Sequence, residues 1–271
     1  MRFAQSSAVY FNYSLQHAIT DLHSLGYDGI EIWGGRPHMY RHDLDGQMDE
    51  IVTLLRKCDM RICNFIPAQF RYPSVLCSDN ETVRADSVAY IKDAIDNAAK
   101  VGSPAVSLCP GMTLFDRDVR AGWKQLARSF SEIAEYNQDK GLELLIEPAH
   151  RFESNLILTI EDCLRMLDEL GSDSFGVLLD TGHCHVNGED FRRVVPLCKD
   201  RPLHVHLDDN DGRSDAHLIP GEGSVDFAAL AEALDGIGYD GFISAELGGA
   251  YIMDPTAACA ETLTILRKMF G

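Results

Sequence analysis

Residues 142–180 read LELLIEPAHRFESNLILTIEDCLRMLDELGSDSFGVLLD, and their pattern decides the fold. Two short, largely apolar runs, Leu142–Glu147 and Phe175–Asp180, enclose a stretch of helical period. Thr159 followed by Glu161 and Asp162 has the form of a helix start, and Leu170-Gly171 the form of a helix end. Continuous apolar runs, rather than alternating ones, are expected of parallel strands covered on both faces. Each run ends on a carboxylate, Glu147 in one case and Asp180 in the other.

The same unit recurs on either side. Further strands are expected at Arg2–Gln5, Gly29–Trp33, Arg61–Ile66, Ala105–Cys109, Leu203–Leu207 and Gly241–Leu247, which brings the count to eight. Ser14 caps an expected helix carrying Leu15, Ala18, Ile19, Leu22 and Leu25, and Gly26 closes it. Residues Glu81–Val101 and Asp118–Lys140 supply two long helices, and Asp254-Pro255 starts the last one. The stretch after Asp180 is the weakest of the series, because Pro196 shortens any helix there. Gly26-Tyr-Asp-Gly29 echoes Gly238-Tyr-Asp-Gly241, each closing a helix and opening a strand, which is a feature of geometry and not of chemistry. Eight βα units without a Pro-, Ser- or Gly-rich linker predict an α/β fold, a (β/α)8 TIM barrel formed by residues 1–271 as one domain. A doubly wound open sheet is the alternative, but the phosphate-binding glycine fingerprint of its first βα turn is missing.

Composition bounds the function. A chain of 271 residues with 45% hydrophobic and 24% charged residues should bury a large core. With 24 Lys and Arg against 42 Asp and Glu, the formal net charge of −18 disfavours nucleic acid and anionic lipid as partners. No run approaches the roughly 18 apolar residues of a membrane span, and Met1–Thr20 lacks the apolar centre of a signal peptide, so a cytoplasmic protein is expected. The eight cysteines form no C-x-x-C pair, and several lie in apolar runs, as expected of buried reduced thiols.

In a barrel of this kind the active site lies at the C-terminal ends of the strands. The later strands place there Glu147, Asp180, His206 and Glu246. A single carboxylate in such a place caps the next helix, but four polar groups on successive strands need another explanation. Three carboxylates and an imidazole converging at one mouth repel each other by several kcal/mol, at about 4 Å and an effective dielectric near 20, unless a cation sits among them. One divalent metal ion resolves the conflict. An oxygen-rich set with one histidine suits Mn²⁺ first, with Mg²⁺, Co²⁺ or Zn²⁺ as alternatives. Trp33 and His38, in the loop after the second strand, would supply an aromatic wall and a polar contact at that mouth.

Glu147-Pro-Ala-His-Arg-Phe-Glu153, Asp180-Thr-Gly-His183, His206-Leu-Asp-Asp-Asn-Asp-Gly-Arg213 and Pro220-Gly-Glu-Gly223 resemble the xylose isomerase-like superfamily of sugar isomerases and epimerases. Within it, Leu25-Gly-Tyr-Asp-Gly-Ile-Glu-Ile-Trp-Gly-Gly-Arg-Pro-His38 and Ser214-Asp-Ala-His-Leu-Ile-Pro-Gly-Glu-Gly223 are similar to the ketose 3-epimerases, of fructoselysine, tagatose and psicose type. The first and last of these six segments are specific, whereas an isolated Asp-Thr-Gly-His is not.

The resemblance implies metal ligation by Glu147, Asp180, His206 and Glu246, with Glu147 and Glu246 moving a proton on opposite faces of the sugar at C3. It also implies that Glu153, His183 and Arg213 bind substrate near the ketone, and it groups His217 with them. Ile66-Pro67 and Tyr72-Pro73 match the fructoselysine type and would shape the loop after the third strand. A small-molecule sugar is the implied substrate, and a homodimer or homotetramer the implied assembly.

Rival activities come from the same superfamily. Inosose dehydratases, hydroxypyruvate isomerases and dehydroshikimate dehydratases share the metal and differ in the pocket. Asp215-Ala-His217 beside His183 resembles the third-zinc group of the apurinic endonucleases, and the role of Asp215 stays open. Those nucleases need histidines on the third and fourth strands, where this chain has Ile66-Pro67 and Cys109-Pro110. A non-catalytic sugar-binding protein would need no opposed glutamates.

Overall fold

The strands β1 (Arg2–Ser6), β2 (Gly29–Gly34), β3 (Arg61–Pro67), β4 (Ala105–Leu108), β5 (Glu143–Ile146), β6 (Phe175–Asp180), β7 (Leu203–Leu207) and β8 (Phe242–Ala245) form a closed barrel in chain order. Every neighbouring pair is parallel, and β8 closes on β1 with Ile243 opposite Phe3. The computed structural model describes residues 1–70 and 74–271, so Tyr72 and Pro73 lie outside the described residues. The expected (β/α)8 architecture is present, with three strands, β4, β5 and β8, shorter than the sequence suggests. Because β5 stops at Ile146 and β8 at Ala245, Glu147 and Glu246 stand one residue past the ladder. Their amides still donate to the carbonyls of Leu108 (3.0 Å) and Leu207 (3.2 Å), which fixes both backbones against the preceding strand.

The helices are α1 (Leu15–Leu25), α2 (Met48–Lys57), α3 (Glu81–Val101), α4 (Val119–Asn137), α5 (Ile160–Leu170), α6 (Thr181–Asn187), α7 (Phe191–Val194), α8 (Phe227–Gly236) and α9 (Pro255–Phe270). Their ends follow from the capping residues. The Ser14 hydroxyl accepts from the His17 amide, the Thr159 hydroxyl from Asp162, and the Asp254 carboxylate from Ala257. Gly26 takes the left-handed conformation (φ +90°) that ends α1. Three residues later, a side chain at Gly29 would lie 2.7 Å from the Phe242 ring and 2.9 Å from the Arg61 carbonyl. The repeated glycines therefore serve the barrel wall. After β6 the chain forms α6, the one-turn α7 and a 3₁₀ turn over Val195–Cys198 that contains Pro196.

The main core lies between the sheet and the helices. Leu15, Ala18, Ile19 and Leu22 of α1 are buried there, each large aliphatic contributing about 1.5–3 kcal/mol. The barrel axis is different. Alternation along the strands puts Phe242, Ser244 and Glu246 on one face, as it does Leu178 with Asp180 and Leu145 with Glu147. Small apolar clusters form at the first level, Ala4–Cys63–Phe242 and Ala105–Leu145–Leu178. Above them, the buried polar residues Glu31, Asn64, Ser107, His204 and Ser244 occupy positions that a TIM barrel usually fills with Val, Ile or Leu. At the mouth stand Glu147, Asp180, His206 and Glu246.

All eight cysteines are free; seven are buried and Cys109 is partly exposed. Among the described residues, no helix is long and apolar enough to cross a membrane.

Candidate active site

Register brings the strand-end residues together. Asp180 of β6 lies directly opposite His206 of β7. One oxygen of Asp180 has a structural duty, because its Oδ1 accepts the His183 amide at 2.7 Å as the cap of α6. The other faces the barrel mouth. His206 Nδ1 is 3.0 Å from Glu246 Oε2, 3.5 Å from Glu147 Oε1 and 3.7 Å from Asp180 Oδ2. One donor atom from each of the four residues lies within 4.8 Å of all the others.

The far nitrogen of this imidazole is already engaged. His206 Nε2 donates to Glu31 Oε2 at 2.9 Å, and the same oxygen accepts from His204 Nε2 at 2.9 Å and from Asn64 Nδ2 at 3.2 Å. The Glu31 carboxylate is fully buried, and burial alone would raise its pKa, yet the two imidazoles beside it hold it below the usual carboxylate range. For His206 burial works the other way, but Glu31 and Glu246 push its pKa well up.

These four residues fit a divalent cation. His206 Nδ1 and Asp180 Oδ2 are both buried and without a hydrogen-bond partner. Three carboxylates around this buried nitrogen draw positive charge to it, which is why the His206 pKa is raised, and a bound cation would take the place of that proton on Nδ1 while Nε2 donates to Glu31. Ligands about 2.1 Å from a common ion stand about 3.0–3.4 Å apart, close to the spacing found here.

A cavity of about 330 Å³ opens over this group, lined by Trp33, Ile66, Pro67, Gln69, Phe70, Cys109, Glu147, Glu153, His183, His217 and Glu246. A more apolar cavity of about 460 Å³ lies between residues 74–83 and 111–122, and among the described residues it contains no comparable group. Beside the four ligand candidates, Asp215 Oδ2 gathers His217 Nε2 at 2.8 Å, His150 Nε2 at 3.1 Å and His183 Nε2 at 3.5 Å. His183 Nδ1 donates to the Pro148 carbonyl at 3.0 Å. His217 Nδ1 donates to the Glu246 carbonyl at 3.1 Å and lies 2.9 Å from Asp208 Oδ2. Burial and the nearby Asp180 push Asp208 up to about 7, although His217 opposes them. Burial raises Glu153 as well, and the imidazoles of His183 and His150 counter it only in part.

Of the expected substrate contacts, Glu153, His183, His217 and Trp33 line the cavity. Two do not. His38 is fully buried behind Trp33, with Nδ1 at 3.1 Å from the Ser7 hydroxyl and Nε2 at 3.1 Å from the Tyr13 carbonyl, so neither nitrogen is left for a sugar. Burial lowers its pKa to about 4. Arg213 is exposed on the loop after β7, in a turn where Asp211 Oδ1 accepts the amides of Arg213 and Ser214. Conversely, Glu31, His204, His150 and Asp208 carry the site's hydrogen bonds without being singled out by the sequence. The signal for two of them is alternation: His204 shares a face with His206, and Glu31 interrupts the apolar run Gly-Ile-Glu-Ile-Trp.

A family model described as xylose isomerase-like TIM barrel matches residues 19–269. A fructoselysine 3-epimerase of Shigella flexneri is 32% identical over 256 residues, covering 94% of this chain and 93% of that protein. The fructoselysine 3-epimerase of Escherichia coli O157:H7 is 31% identical over the same shares. A solved structure described as a D-tagatose 3-epimerase-like protein superposes with a TM-score of 0.81 at 27% identity, over 100% of both chains.

Proposed function

As a member of the xylose isomerase-like TIM barrel family, and an enzyme of the isomerase and epimerase class, this chain is, we propose, a divalent-metal-dependent ketose 3-epimerase that acts on a fructosamine or a related ketose. The observation that carries the metal dependence is the buried, partnerless Nδ1 of His206 aimed at three carboxylates. Glu147, Asp180, His206 and Glu246 would hold the ion, with Mn²⁺ the first choice and Mg²⁺, Co²⁺ or Zn²⁺ as alternatives. When bound, it would offset the negative charge that develops on the ketose oxygens as the carbon acid ionises.

The protein's own groups would do the rest. Glu147 and Glu246 directly follow two different strands, β5 and β8, and both face the cavity. In this proposal one carboxylate removes the C3 proton and the other returns a proton to the opposite face, which inverts the carbon. Holding each base at the reacting carbon makes the transfer effectively intramolecular. Glu153, His183 and His217 supply hydrogen bonds for the hydroxyls next to the ketone, and Trp33 an apolar wall. Cys109 lies 3.6 Å from Glu147 Oε2, where its thiol donates to a carboxylate that must keep its orientation. The proposal extends to a cytoplasmic homodimer or homotetramer, which family resemblance supports.

Purified protein with Mn²⁺, incubated in D₂O with a panel of ketoses and fructosamines, tests the activity. Deuterium at C3 together with the C3 epimer is the expected NMR result. Exchange confined to another carbon, or loss of water from the substrate, would favour an isomerase or dehydratase of the same family instead.

A further inference from the structure

A carboxylate in the middle of a barrel needs a reason, since buried ion pairs are often matched or bettered in stability by apolar groups of the same volume. Glu31 sits on β2, across the barrel from β7, and is fully buried. Its Oε2 is the meeting point of three N–H donors, His204 Nε2 (2.9 Å), His206 Nε2 (2.9 Å) and Asn64 Nδ2 (3.2 Å). Asn64 is held in turn, its amide also donating to Ser107 Oγ at 2.5 Å. None of these groups reaches the substrate cavity.

What the arrangement controls is which nitrogen of His206 carries the proton. A neutral imidazole left to itself has two tautomers. The one with the proton on Nδ1 would donate to Glu246 Oε2, 3.0 Å away, and would have no lone pair to offer a cation. The one with the proton on Nε2 donates to Glu31 and leaves Nδ1 free toward Glu147, Asp180 and Glu246. An acceptor-only group against Nε2 selects the second tautomer and locks the ring plane. We propose that Glu31 is a positioning residue for the metal centre, which fixes His206 as an Nδ1 ligand, while His204 and Asn64 fix Glu31. A metal-bound histidine commonly gives its other N–H to a carboxylate, and loss of that partner costs about 10- to 100-fold in metal affinity.

The substitution Glu31→Gln keeps the volume and brings an amide that can donate to Nε2, which favours the wrong tautomer. Calorimetric titration of the metal-free protein with Mn²⁺ should show a Kd about 10- to 100-fold weaker than wild type. Ser244→Ala, which removes another buried polar group of the barrel interior, should leave the Kd close to the wild-type value. Equal Mn²⁺ affinity for wild type and Glu31→Gln would overturn the assignment of Glu31 while sparing the metal site. The inference rests on the divalent-ion reading of that site, and a wild type that binds no Mn²⁺ would overturn both. A second measurement needs no variant. In wild-type protein with ¹⁵N-labelled histidine and ¹¹³Cd²⁺, His206 should show metal coupling at Nδ1 and a proton at Nε2. Coupling at Nε2 would refute the proposal even if Glu31→Gln failed to fold.

Discussion

Replacing Asp180 by Asn separates this residue's two duties. Oδ1 caps α6 by accepting the His183 amide at 2.7 Å, and Oδ2 is buried, partnerless and 3.7 Å from His206 Nδ1. An asparagine keeps the cap, since its carbonyl accepts equally well, so the roughly 1 kcal/mol attached to such a cap should survive. What is lost is one of three negative charges facing the ion, and an N–H₂ now points where a ligand oxygen stood. Removing one partner of a buried charge interaction costs about 3–5 kcal/mol, which is roughly 10²- to 10³-fold in Kd or somewhat more. Without metal the sign is reversed, because one fewer carboxylate crowds Glu147 and Glu246. Thermal unfolding of Asp180→Asn in EDTA should therefore occur at or above the wild-type temperature, while calorimetry shows Mn²⁺ binding weakened by at least two orders of magnitude. Affinity within a few-fold of wild type would refute the ligand assignment.

Other consequences can be tested more briefly. Burial holds His38 at about 4, below the ordinary value near 6.5, so the unfolded chain takes up the proton first as pH falls. Its contribution should be complete above about pH 6.5 and be lost toward pH 4, a change on the order of 3 kcal/mol. Urea unfolding of His38→Asn should show a correspondingly shallower loss between pH 7 and 4 than wild type, and parallel profiles would contradict this. Gly29→Ala puts a methyl 2.7 Å from the Phe242 ring, and overpacking of this kind should lower unfolding stability by about 1–3 kcal/mol. An unchanged denaturation midpoint would show that the wall yields. DNA containing abasic sites should not be nicked even at low salt with added Zn²⁺, given a net charge of −18 and Pro67 and Cys109 where the nuclease-type histidines would be. Robust cleavage would reverse the order of the functional hypotheses.

The barrel is legible in the sequence because its strands are covered on both faces, so each one is an apolar run whose polar end marks the mouth. Glu147, Asp180, His206 and Glu246 stand out for that reason. Glu31 is hidden by the same logic. It faces the barrel axis inside the run Gly-Ile-Glu-Ile-Trp, and its partner His204 is 173 residues away, so no local pattern links them. His150 and Asp208 are hidden by loop paths that only the folded backbone fixes. His38 was expected at the sugar because it follows Trp33, but the chain turns its ring inward onto Ser7 and Tyr13. Arg213 shows the converse, for its loop is anchored through Asp209, which accepts the amides of Gly221, Gly223 and Val225, and this leaves the arginine in solvent.

The central claim is that two glutamates just past the ends of β5 and β8 exchange a proton at one carbon from opposite sides. Glu→Gln variants of Glu147 and Glu246 test it most directly, because the amide oxygen can still reach the metal but cannot take the C3 proton. With metal content confirmed and one epimer supplied in D₂O, the variant lacking the returning acid should wash deuterium into C3 without inverting it. The variant lacking the removing base should do neither, and the two behaviours should change places when the other epimer is supplied. Epimerisation at the wild-type rate by metal-loaded Glu246→Gln would contradict the two-base account.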